Sequence, residues 1–192
     1  MIGPDEVLDF WFGAPGTPVH GTARPEWFRK DAAFDTQVRE RFTAELDAAL
    51  AGGLADWCAD AGGTLALILV LDQFTRNAFR DTPRAFAGDA RALVLARGLV
   101  ARGDDRALGR FPRAFAYLPF EHAEDVAMQE EAVRLYSALA AQHPDAADEL
   151  DYAVRHRDIV ARFGRFPHRN AILGRPSRAE ELAFLQQPGS RF

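Results

Sequence analysis

The stretch DQFTRNAFR (72–80) follows the apolar run LALILVL (65–71) without a break. Buried polar groups need partners, and a buried guanidinium needs an anion, from the chain or from a ligand. At helical spacing Asp72, Arg76 and Arg80 form one i, i+4 row, with Gln73 and Asn77 on the adjacent row. A second cluster, YLPFEHAED (117–125), sets Glu121, His122, Glu124 and Asp125 close together. A carboxylate beside an imidazole tunes it for acid–base work. The segment lacks the His-x-x-x-His and Glu-x-x-His spacings of metal ligands, so no metal or other cofactor is expected.

A third stretch, RHRDIVARFGRFPHRNAILGRPSR (155–178), carries seven arginines and two histidines against the single acid Asp158. On a helix, His156 shares a face with Tyr152, Ala153, Val160 and Phe163, which points it to the core. His168, Arg169 and Asn170 fall beside Pro167 at an expected loop–helix junction, where free N–H groups attract anions and an adjacent arginine reinforces them. The candidate acid–base groups are therefore His122, His156 and His168, oriented by Asp72 or Glu121. The candidate ligand-binding groups are Gln73, Arg76, Asn77, Arg80, Arg165, Arg169 and Asn170. The competing reading is structural: Asp72 pairs with Arg76, and the remaining charges hold helices in register.

Helical periodicity dominates the elements that must position these residues, and no alternating strand stands out. Helices are expected from Pro4 to about Gly13, over 31–50, 64–80, 83–102, 104–116, 124–142, 145–163 and 177–187. LALILVL is apolar on every side, as in a helix at the centre of a bundle. Pro119 is expected to break its helix, Glu124 and Asp125 to cap the next, and Ser177-Arg178-Ala179-Glu180 to form a capping box. GRFP occurs twice, at 109–112 and 164–167. In each copy the glycine reads as a helix end and the proline as the next helix start. The pattern implies a single all-α domain over 1–192, an irregular helical bundle or α-solenoid. No clean 34-residue repeat is present.

Composition narrows the classes. The chain has 192 residues, 48% hydrophobic and 27% charged, with a net charge of −5. That is ordinary for a folded domain and leaves no basic field for duplex nucleic acid. Of 23 basic residues only Lys30 is lysine, a bias that a GC-rich genome also produces. The lone cysteine, Cys58, excludes an intrachain disulfide. The start MIGPDEVLDFWF has no leader pattern, and the longest apolar run is too short to cross a bilayer. A cytoplasmic monomer or small homo-oligomer, away from membranes, is the expectation.

The motifs LDQFTRNAFR, YLPFEHAED followed by Gln129, and RHRDIVARFGRFPHRNAILGR…EELAFL resemble the bacterial domain of unknown function 924 family. VLDFWFG and WFRKDAAFD resemble it too. The resemblance implies an all-helical, tetratricopeptide-like fold and no established activity. Departures are visible: His122-Ala123-Glu124 stands where the family reads His-Ser-Glu, and Gly174-Arg175-Pro176-Ser177-Arg178 where it reads Gly-Arg-Glu-Ser-Thr. The first GRFP has no counterpart in the family pattern, which makes the echo local and coincidental.

These readings favour a small anionic ligand, carboxylate or phosphate, in an interhelical cleft, with histidine acid–base chemistry if the protein is an enzyme. The alternative is a tetratricopeptide-like module that binds an acidic peptide along an arginine-lined groove. Single-stranded RNA on the basic 155–178 segment ranks lower. Convergence of the three polar stretches in space separates the first reading from the rest.

Overall fold

The computed structural model describes residues 2–190, and among these every regular element is helical. Helix α1 spans Pro4–Phe12, opened by the Glu6 carboxylate accepting the Gly3 N–H at 2.6 Å and closed by Gly13 at φ 84°. A loop with a 3₁₀ turn at Pro25–Trp27 leads to α2, Ala32–Leu50, which Asp31 caps and which kinks at Phe42. After a second 3₁₀ turn at Ala55–Ala59 comes α3. It runs through Ala61–Leu69, a π turn at Val70–Phe74 and a last α segment at Thr75–Ala78.

Four longer helices and a short one complete the chain. They are α4 (Asp89–Arg102), α5 (Arg110–Glu121), α6 (Val126–Gln142), α7 (Ala147–Phe163) and α8 (Ala179–Phe184). The apolar run dictates the architecture: Leu65 through Leu71 are at most 1% exposed, so α3 must be enclosed. Helices α1, α4 and α5 pack against it, and α5, α6 and α7 pack in succession. Aromatic rings of Phe10, Trp11, Phe34, Phe42 and Phe74 fill the space between α1, α2 and α3. Ile159, Val160, Phe163 and Phe166 form a second, smaller core that Phe184 of α8 covers. None of the helices is long and apolar enough to cross a membrane among the described residues.

Several local expectations are corrected. Pro119 does not break α5, which continues through it to Glu121, because Pro119 is buried in the packed helix and only one N–H bond is forgone. Helix α3 ends at Ala78 rather than 80, since Phe79 leaves helical geometry at φ −121°. Glu124 is not a cap; Asp125 alone caps α6, accepting the Met128 N–H at 3.0 Å. The capping box of α8 lies one residue later than expected, with Glu181 accepting the Arg178 N–H at 2.7 Å. The two GRFP copies differ in kind. Gly164 closes α7 at φ 72°, whereas Gly109 opens α5 in extended geometry. Tyr152, expected on the core face of α7, is half exposed.

Candidate functional site

The π turn is the local device that builds the site. It inserts one extra residue into a turn of α3 and so turns Asp72 and Gln73 relative to the apolar face below them. Asp72 is 1% exposed. Its carboxylate accepts from His122 Nδ1 at 2.7 Å and from Gln73 Nε2 at 2.6 Å, and lies 3.2 Å from Arg76 Nη1. Burial pushes the Asp72 acid up, but the charge of Arg76 and the charge and hydrogen bond of His122 outweigh it and hold it well below the usual range. An ionised Asp72 fixes the proton of His122 on Nδ1 and leaves Nε2 with a lone pair. Burial lowers the His122 pKa, against the pull of Asp72, so the ring is a neutral base near pH 7.

Arg76 Nη1 donates back to the Asp72 carbonyl of its own helix at 2.5 Å, and the guanidinium also spans to Asp89, the first residue of α4. The pairing is a two-bond fork, at 2.9 and 3.0 Å. Arg169, in the 3₁₀ turn Pro167–Arg169, reaches the same carboxylate at 3.5 Å and the His122 carbonyl at 3.0 Å. Its guanidinium carbon lies over the rings of Phe166 (4.5 Å) and Phe86 (4.9 Å). Arg169 is 6% exposed, and its Nε has no hydrogen-bond partner among the described residues. Burial and the like charge of Arg76 pull its pKa down to about 10, so it remains a cation at neutral pH. The motifs at 72–80, 117–125 and 155–170 thus meet at Asp72, Arg76, His122 and Arg169.

Behind His122 lies a second, drier pair. Glu121 and His156 are 4% and 5% exposed, with His156 Nδ1 3.1 Å from the Glu121 carboxylate and 2.8 Å from the Tyr152 carbonyl. The ring centres of His122 and His156 are 6.3 Å apart. Burial, with the charges of Asp72 and Glu149, pushes Glu121 up to about 8, while burial drives His156 down to about 3. His168, half-buried beside Phe166, is pulled down to about 4 by burial and by Arg169.

These shifts act on stability with opposite signs. Glu121 keeps its proton when folded up to about pH 8 but loses it at 4.5 when unfolded, so its contribution is complete below pH 4.5 and is lost as pH rises to 8. His156 contributes fully above pH 6.5 and loses that contribution as pH falls toward 3. Glu121→Gln is therefore expected to leave the protein as stable as the parent near pH 5. Between pH 5 and 8 it should remove a decline of up to about 1.4 kcal/mol per pH unit. Urea unfolding across that range checks it, and parallel pH profiles for parent and variant would mean that Glu121 is ionised in the fold.

Other candidate residues go elsewhere. Arg80 lies past the end of α3 and grips Asp35 of α2 at 2.7 Å through both Nε and Nη2, with Asn77 on the same carboxylate at 2.7 Å. Arg165 pairs with the buried Glu181 at 2.7 and 2.8 Å. Asn170 bonds Ser177, at 3.0 Å, and receives Arg175 at 3.1 Å. Arg175 in turn forks onto Glu124, whose Oε1 also accepts the Phe166 N–H at 2.8 Å. This C-terminal lattice, Glu124–Arg175–Asn170–Glu181, anchors the turn that carries Arg169. In the sequence pattern Asp89 and Phe86 lie outside every marked cluster, Arg175 falls within the basic 155–178 stretch, and Glu124 reads as a cap. Asp89 looks there like an ordinary first-turn acid, and Arg175 like one arginine among many.

Among the described residues no group of three or more His, Cys, Asp or Glu is arranged to hold a metal ion. A separate cleft of about 470 Å³, lined by His20, Trp27, Arg110, Phe111 and His143 among others, contains the first GRFP copy and none of the site residues.

DUF924, described as a bacterial protein family of unknown function, matches residues 7–189. The solved structure of a protein of unknown function, ATU0120 from Agrobacterium tumefaciens, is similar at 42% identity. The match covers 95% of this chain and 96% of that one, with a TM-score of 0.83. No curated protein matches the sequence.

Proposed function

The chain belongs to the DUF924 family of bacterial proteins of unknown function, and for this member we propose that it binds a small oxyanion between Arg76 and Arg169, with His122 as the acid–base group. The observation that carries the reading is Arg169. A guanidinium this buried, with Nε unpaired and only a long bond to a carboxylate, retains donors that an oxyanion satisfies. Arginine suits that task because its fork matches the two oxygens of a carboxylate or phosphate group. The exposed side of the cluster is the Arg76–Asp89 edge, with side chains 20% and 21% accessible, so a ligand enters there. His122, locked by Asp72 in one tautomer, keeps Nε2 as a basic nitrogen on a ring that shares the Asp72 carboxylate with Arg76. A small ligand fits this geometry better than an acidic peptide does, because Arg80 and Arg165, which would extend a groove, are gripped by the internal carboxylates Asp35 and Glu181.

The test is a thermal-shift screen of carboxylated and phosphorylated small molecules against the parent and Arg169→Met. A true ligand raises stability by roughly 3 kcal/mol at a hundredfold excess over its dissociation constant. Methionine keeps apolar bulk against Phe86 and Phe166 without a charge. Replacing a poorly paired buried ion by an apolar side chain is expected to change stability by less than about 1 kcal/mol, or to raise it. The variant should therefore melt near the parent and lose every ligand shift. Shifts that persist in Arg169→Met, or a parent that responds to no anion, would overturn the proposal.

A further inference from the structure

Resting on that reading of the site, we propose that Asp89 is an internal stand-in for the ligand: the group recognised is a carboxylate, and it binds by displacing Asp89 from Arg76 and Arg169. The Asp89 carboxylate already makes the bonds such a ligand needs, two to Arg76 at 2.9 and 3.0 Å and a longer one to Arg169 at 3.5 Å. Both guanidiniums rest against one ring, Phe86, at 5.5 and 4.9 Å, so a single planar group bridges them.

Asp89 and Asp72 differ in how firmly they are held. Asp72 is 1% exposed and tied by His122 and Gln73 as well as Arg76. The Asp89 side chain is 21% exposed and, among the described residues, leans only on the two arginines. It also has somewhere to go. As the first residue of α4, preceded by Gly88 with no side-chain cap, it sits beside N–H groups that are unpaired within the helix. A carboxylate released from Arg76 is stabilised there by the helix N-terminus.

Charge selects the ligand class. With Asp72 fixed, one of the two guanidinium charges is already matched, and the site accepts one further negative charge. A carboxylate monoanion replaces Asp89 without changing the balance. A phosphate dianion brings a second charge toward the buried Asp72, whose own charge repels it.

The experiment is isothermal titration calorimetry at low ionic strength on the full chain, with acetate as probe and inorganic phosphate as comparison. Parent, Asp89→Asn and Arg169→Met are titrated, and Asp89→Ser serves if the asparagine variant does not fold by circular dichroism. Removing an internal competitor that occupies the site most of the time is expected to tighten acetate binding about tenfold, and phosphate less. Equal acetate affinity in parent and Asp89 variant, with binding lost in Arg169→Met, overturns the stand-in role and leaves the oxyanion site in place. A larger gain for phosphate than for acetate overturns the carboxylate assignment. Undiminished binding in Arg169→Met, or no binding in any protein, overturns the site reading and the stand-in with it.

Discussion

Asp72→Asn is expected to cost about 3 kcal/mol of folding stability, near the low end of what breaking a buried ion pair costs. The reasons lie in how many partners one carboxylate serves. At 1% exposure it has no water to replace what it loses, and it is shared by Arg76, His122 and Gln73. An asparagine keeps the volume but carries no charge, and its NH₂ faces donors on at least one side. Arg76 retains its fork to Asp89, which is why the loss stays below the 5 kcal/mol of a fully orphaned ion. In a domain of this size that corresponds to a fall of roughly 6 to 12 °C in melting temperature. The pH dependence identifies the cause. Because the folded Asp72 acid lies below its ordinary 3.8, its contribution is complete above that value and is lost as pH falls below it. The gap between parent and variant should therefore be widest at neutral pH, begin to narrow only below about pH 4, and close as the pH falls through the depressed folded value. A gap that is independent of pH would mean that the asparagine perturbs packing and that the charge is irrelevant.

The same residue marks how far the sequence could be read. Its polar row after LALILVL signalled a helix whose end turns inward, and the contacts of Asp72, Arg76, His122 and Arg169 follow that signal. Arg80 departs from it for a physical reason. An i, i+4 row assumes uninterrupted α geometry, but the π turn at 70–74 and the helix end at Ala78 carry Arg80 to Asp35. Nothing in VLDQF announces a π turn, since it contains neither glycine nor proline and every residue is compatible with an α-helix. Asp89 was equally illegible. A first-turn acid is expected from the helix dipole alone, and only the approach of α4 to α3 turns it into the partner of Arg76. Helix existence, being local, was readable; the cap of α8 and the passage of α5 through Pro119 were decided by packing.

That approach of α4 to α3 depends on one residue, and Gly88→Ala is expected to destabilise the protein by about 3 kcal/mol. A methyl group at Gly88 would sit 2.1 Å from the Leu71 carbonyl oxygen and 2.8 Å from its carbon, both backbone atoms of the π turn. No rotamer relieves such a contact, and Leu71 O cannot withdraw easily because it also accepts the Thr75 hydroxyl at 2.8 Å. The backbone at Gly88, φ −89° and ψ −12°, is open to any residue, so the cost is contact and not torsion. Relief requires α4 to move off by about an ångström, which would carry Asp89 beyond hydrogen-bonding reach of Arg76 and loosen Arg169 with it. Gly98 provides the control within the same helix. A methyl there meets only the flexible end of Arg102 at 3.2 Å, so Gly98→Ala should stabilise by about 0.5–1 kcal/mol through helix propensity. Urea unfolding of the two variants should give shifts of opposite sign. Two shifts of the same sign would mean that α4 is not seated on the π turn as described, and the geometry that brings Asp89 to Arg76 would fall with it.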